Sequence, residues 1–305
     1  MEKRPMPTTP DENVMQYMSS GLQAIATLDN VYFDTNSVRT DSPSEAEDLL
    51  SRRDGVDPVT DIVSIPGTRL HLRMKLYAVR EHLLGALYLI GSQAERTPAN
   101  PIEVLARSAM EGSAISLWLC NNHICWDERL RRHSQLHLNS TYTSLREAGI
   151  DPSHASNLSE RHPAIEETVA ECNTIIEWVI GRGWTCRKGK NKGKPPTPAR
   201  WVKELPSFTE IIQSAADFLP IDPELLRVRY SISSRSVHTD PVTVADDSSE
   251  EHERMRVFRA LSATSTAIMF YALAWNLVAG WSGVPYPEDD IKRQLTALDD
   301  SVPSV

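Results

Sequence analysis

The stretch 261-LSATSTAIMFYALAWNLVAGWSGVPY-286 decides the fold class. It holds no charged residue and exceeds the ~20 residues that cross a bilayer. It also carries Ser262, Thr264, Ser265, Thr266 and Asn276, which leave it only modestly hydrophobic for insertion. A helix that is apolar on every side and dotted with small hydroxyls is one packed inside a protein. The stretch therefore predicts a buried central helix from about Glu250 to Gly280, and the fold class is all-α: a single multi-helix bundle of at least six helices with a long buried C-terminal helix.

The rest of the chain supports that class. Asp11 precedes a helix whose apolar residues Val14, Met15, Met18, Leu22, Ile25 and Leu28 follow the 3.6-residue period. Ser42 and Glu45 form a capping box for a short helix that stops near Gly55. Leu72, Leu76, Val79, Leu83, Leu87 and Ile90 mark one face of a long helix from Gly67 to about Ser92. Asn100, Pro101 and Glu103 read as N-cap, first-turn proline and capping acid of a helix to about Asn122. Further helices are expected over 126–148, 164–180, 207–219 and 222–239, with a short one after Pro287. Val59 to Ile65 is the best candidate strand, and it is short.

The 305 residues are 40% apolar, enough for a sizeable core. A net charge of −9 means that the molecule as a whole is no polycation. Four cysteines are too few for a disulfide scaffold. Cys120 and Cys125 lack the second half of a structural zinc motif, so no metal is expected, and no motif calls for a cofactor. The N-terminal residues have no apolar core, so the expected location is cytoplasmic, with no membrane partner. The expected organisation is an N-terminal helical arm (1–66), a bundle core (67–282) and a C-terminal tail with a short helix (283–305).

Two segments break the helical pattern. Residues 182–203 carry Arg182, Arg187, Lys188, Lys190, Lys192, Lys194, Arg200 and Lys203 and no acid. With their glycines and prolines they are expected to form a mobile, exposed loop that contacts an anion. Lys188, Lys190, Lys192 and Lys194 are its candidate ligand-binding residues, for RNA or a nucleotide. Residues 240–253 carry Asp240, Asp246, Asp247, Glu250, Glu251 and Glu253 and no Lys or Arg, and are the alternative partner, in the same or a neighbouring chain.

Three polar constellations are candidate sites. On the helix 222–239, Arg227, Ser231, Ser234 and His238 share one stripe, with Tyr230 and Arg235 nearby. Such a stripe suits a phosphate or a proton shuttle, since His titrates near neutrality; its plainer reading is a polar seam between helices. Arg107 and Glu111 stand one turn apart and can pair, followed by the small Gly112, Ser113, Ala114 and Ser116, which let another helix approach. Arg132 and His137 match the R-x4-6-H spelling of metal-free ribonucleases, where His is acid or base beside a phosphate-binding Arg; the alternative is that the arginines of 129–132 cover a solvated face. Hydrolase elbows, phosphate loops and HExxH motifs are absent from the sequence.

The set Arg107, Glu111 and Trp118-Leu119, the arginine-rich helix at 129–132, and the late Tyr230, Ser233 and His238 resembles a pattern in bacterial helical proteins. Those proteins are similar to abortive-infection and HEPN-type domains, and the resemblance spans roughly residues 70 to 280. It implies a helical bundle acting on RNA or nucleotides in defence or stress, and, if the chain is an enzyme, a metal-free ribonuclease-like activity. His238, Arg107, Glu111, Arg132 and His137 are then the catalytic candidates. The family pattern prefers Gly after the late His, where this chain has Thr239, and no Arg stands four to six residues before His238. A non-catalytic homodimeric interaction module and a small-molecule enzyme are the alternative expectations. Arg107, Glu111 and His238 are expected to converge, with His238 or Tyr230 as third donor to Glu111.

Overall fold

The computed structural model describes residues 10–34, 38–54, 63–92, 99–147, 149, 163–215, 230 and 250–302. Among these the chain is all-α, with ten α-helices, one 3-10 turn and no strand. The helices are α1 (Pro10–Asp34), α2 (Pro43–Arg53), α3 (Ile65–Gly91), α4 (Ala99–Cys120) and α5 (Trp126–Glu147). They continue with α6 (Pro163–Gly181), α7 (Pro198–Val202), α8 (Phe208–Ala215), α9 (Glu250–Ser282) and α10 (Glu288–Asp300).

Packing separates these helices into two compact units. One comprises Met1–Ser42, Leu72–Cys120 and Phe208–Val305; the other comprises Pro43–His71 and Asn121–Ser207. The reason lies in what each set buries. In the first unit α4 and α9 make the most extensive helix pair. In the second, α5 gathers α2, α6 and α7, and the fully buried Trp201 of α7 is its largest core side chain.

In the first unit α9 is the buried helix that its uncharged sequence predicts. Ala267, Ile268, Phe270, Tyr271, Ala274 and Trp275 are all at most 1% exposed. Its span Arg254–Ser282 is long and apolar enough to cross a membrane, and its most apolar window is 67% buried within the fold. The buried hydroxyls are satisfied locally, as such groups must be: Thr264 donates to the Ala260 carbonyl at 2.9 Å and Thr266 to that of Ser262 at 2.8 Å. Tyr17 of α1 donates to the Leu261 carbonyl at 2.7 Å and lies 3.1 Å from Ser265 Oγ. Both α1 and α10 pack on α9, and on each other.

The six apolar positions predicted on α3 are all buried. Those predicted on α1 are only partly so: Ile25 and Leu28 are buried, but Met15 and Leu22 are exposed. The buried face is instead Tyr17, Ser20, Gly21, Ala24, Ile25, Leu28 and Val31. It is rotated because Gly21 takes the Leu87 side chain, which would stand 3.0 Å from a Cβ there. Gly112 of α4 does the same for α3, where a Cβ would lie 2.5 Å from Val79 Cγ2. Glu103 is no exposed capping acid. It is 1% exposed and pairs with Arg259 of α9 at 2.8 Å. Ile65, placed in the candidate strand by the sequence, opens α3; residues 59–62 lie outside the described residues.

Candidate functional site

In the first unit, Arg107 and Glu111 pair as their spacing predicts, with Nε to Oε1 at 2.8 Å. Tyr230 is the third member. Its hydroxyl donates to the same Glu111 oxygen at 2.7 Å, Arg107 donates to Tyr230 at 3.4 Å, and the guanidinium carbon stands 5.3 Å from the ring centre. Burial, then the hydrogen bond to Glu111, push the Tyr230 phenol up to about 12. Burial works to lower the Arg107 guanidinium, but Glu111 and Tyr230 outweigh it and its net shift is upward. Such a closed triad needs no ligand to satisfy it. The other candidates of that helix, Arg227, Ser231, Ser234, Arg235 and His238, lie outside the described residues, as do residues 240–249 of the acidic segment.

In the second unit α5 opens with Trp126, Asp127 and Glu128, the two acids favouring its positive N-terminal end. Arg132 and His137 both lie on it, five residues and therefore about 140° apart around the axis. Each is held separately: Arg132 by Glu128 at 3.1 Å, and His137 by Glu171 of α6 at 3.0 Å. The structure does not bring these two side chains to a shared point. The neighbouring arginines are not a solvated face either. Arg129 is 2% exposed and pairs with Glu47 at 2.9 Å. Arg131 is 5% exposed, stands 4.7 Å over the Trp201 ring and lies 3.6 Å from Glu204.

His133, also on α5, is 1% exposed. Thr68 uses its hydroxyl proton on the Ser64 carbonyl at 2.8 Å, so the 2.9 Å contact to His133 is donated by Nδ1–H. Among the described residues His133 Nε2 has no hydrogen-bond partner. Burial first, then the rings of His71 and His137, hold its pKa well below the usual histidine range, and the ring is neutral.

The basic segment is the largest departure from expectation, for it is folded rather than a loose loop. After α6 the chain turns at Gly183 and runs into a closed knuckle. Cys186 N–H donates to the Lys194 carbonyl at 3.1 Å and Gly193 N–H to the Cys186 carbonyl at 2.8 Å. Gly189 and Gly193, at φ of 53° and 78°, take the left-handed conformations that this tight path requires. A 3-10 turn, Gly189–Asn191, fills the tip. Thr197 then caps α7, with Pro198 in its first turn. What the sequence reading missed is the anchor: Glu204, 6% exposed, accepts from the backbone N–H of Arg187 at 2.6 Å and of Lys188 at 3.2 Å. It stands just outside the run of bases, where composition draws no notice to it.

Apolar contacts complete the anchor. Trp201 donates Nε1–H to Ser134 Oγ at 3.1 Å and stacks on Trp184 at 6.2 Å and 10° between planes; Trp178 meets Trp184 edge-on at 5.2 Å. Lys188, Lys190, Lys192 and Lys194 are exposed, as expected, and among the described residues none of them is in an ion pair. Arg187 pairs with Glu128 at 2.8 Å and Arg182 with Asp127 at 2.6 Å. Among the described residues no group of three or more His, Cys, Asp or Glu could hold a metal ion. Comparison with protein-family models, with curated proteins and with solved structures finds no match for the chain.

Proposed function

We propose that this helical protein binds RNA through the knuckle 186–194. One observation carries the reading: four exposed lysines with no ion-pair partner among the described residues, at alternate positions of one short turn whose backbone is pinned by the buried Glu204. A pinned turn presents its charges without first ordering a coil, so less of the electrostatic gain is lost to entropy. In a chain of net charge −9, such a patch attracts phosphates locally while the remainder repels them. The choice of RNA, and a role in defence or stress, rest on the resemblance of Arg107, Glu111, Trp118-Leu119 and Tyr230 to the HEPN-type pattern. Binding is favoured over cleavage because Arg132 and His137 are each engaged by a carboxylate.

The test is fluorescence anisotropy with a labelled RNA at several salt concentrations. Four phosphate contacts predict a slope of log K against log salt near −3, or about a 50-fold loss of affinity between 50 and 200 mM. Changing Lys188, Lys190, Lys192 and Lys194 together to serine should abolish the salt-sensitive binding. Equal binding by that variant, or no binding at 50 mM salt, would sink the proposal.

A further inference from the structure

We infer that the RNA taken by the knuckle is single-stranded, with unpaired bases stacking on a surface formed by Trp126, Arg182 and Trp184; this rests on the RNA reading of the same site. A column of flat groups runs outward from the core of the second unit. It begins at the fully buried Trp201 and continues through Trp184, which stacks on it. The Arg182 guanidinium lies 5.7 Å from the Trp184 ring centre and 5.2 Å from that of Trp126. Trp126, Arg182 and Trp184 are each partly exposed.

Charge divides this surface into two zones. Arg182 is neutralised by Asp127 of α5, whereas Glu128 is shared between Arg187 and Arg132, so Arg187 belongs with the cationic zone. The Arg182 charge is offset, and the Asp127 contact fixes its guanidinium against the Trp126 and Trp184 rings rather than leaving it a roving cation. The four lysines keep their charge. A neutral stacking zone beside a cationic zone matches the two faces of a single strand, whose bases present flat rings while its phosphates present charge. A duplex keeps its bases stacked inside and can use only the lysines.

Spacing agrees. Trp184 and Lys188 are four residues apart, so their backbones are at most ~14 Å apart, a span that a few nucleotides of one strand cover. The guanidinium plane is itself a surface on which unpaired bases stack.

The experiment compares three probes against the full chain by anisotropy, with tryptophan fluorescence read in parallel. The probes are a uridine-rich single-stranded RNA 12-mer, an RNA duplex of equal length, and inorganic polyphosphate. The expected result is at least tenfold tighter binding of the single strand, with quenching by that probe alone. Trp126→Ala should loosen the single strand on the order of tenfold, the effect of one lost stacking partner, and leave the duplex unchanged. Trp126→Phe, which keeps a flat ring, should recover much of the loss. Circular dichroism confirms that both variants are folded, and the partly exposed Trp126 is chosen over Trp184 for that reason. Equal affinity for all three probes, or no effect of Trp126→Ala on the single strand, overturns the inference while leaving the lysine reading standing. Failure of every probe to bind removes the RNA reading and this inference with it.

Discussion

Replacing Glu204 by alanine is the sharpest perturbation of the second unit. The carboxylate accepts two backbone hydrogen bonds, at 2.6 and 3.2 Å, and stands 3.6 Å from the guanidinium of the buried Arg131. A hydrogen bond to a charged group contributes about 1.5–3 kcal/mol, so the two N–H groups of Arg187 and Lys188 account for about 4 kcal/mol. Burial already pulls the Arg131 pKa down, and Arg187 adds to that; Glu204 is one of the groups opposing it. Removing Glu204 therefore also leaves a buried cation poorly compensated, which pushes the loss higher. Against a typical total of about 5–15 kcal/mol this is a large fraction, and it corresponds to a fall in melting temperature on the order of 10 °C. Glu204→Gln keeps one acceptor oxygen and the volume, and should lose about half as much. Thermal melts followed by the fluorescence of the seven tryptophans, Trp178, Trp184 and Trp201 among them, give the magnitude, and amide exchange at Arg187 and Lys188 should accelerate in step. An alanine variant melting within about 2 °C of the parent would refute the claim that Glu204 anchors the knuckle.

Three further outcomes are expected. Gly112→Ala places a Cβ 2.5 Å from Val79 Cγ2, a methyl that cannot swing away, and should cost about 1–3 kcal/mol; Val79→Ala in the same chain should return part of that in denaturant melts. His133 is held below the usual histidine range in the folded state, so the unfolded chain binds its proton first. Its contribution is present above about pH 6.5 and is lost as pH falls below it, by up to ~1.4 kcal/mol per pH unit; stability measured from pH 8 to 5 should flatten in His133→Asn. Tyr230→Phe removes the hydrogen bond to Glu111 and should cost about 1 kcal/mol near neutrality. The parent protein should lose stability from Tyr230 only as pH rises through 10 toward about 12, and chemical denaturation across that range should show the alkaline decline lessened in the variant.

The division between sequence and tertiary structure follows the range of the interactions. The uncharged run of α9 and the six-residue face of α3 were legible because a helix buries residues at its own period, and a period is a local property of the chain. Arg107 and Glu111 were legible for the same reason, being one turn apart. Tyr230 joins them across 119 residues, and Glu103 meets Arg259 across 156; no local pattern distinguishes that buried pair from a helix-capping acid. The buried face of α1 is not legible in its apolar residues, whose identity proposes one side, whereas Gly21 admits Leu87 on another. The lysine run declared its charge through composition alone. That it forms a pinned knuckle was decided by Glu204 and by the stacking of Trp184 on Trp201, contacts between residues that only the packing of α5, α6 and α7 brings together. Local periodicity sets which helices form and which sides are apolar; partners for charges come from elsewhere in the chain, and only the folded structure selects them.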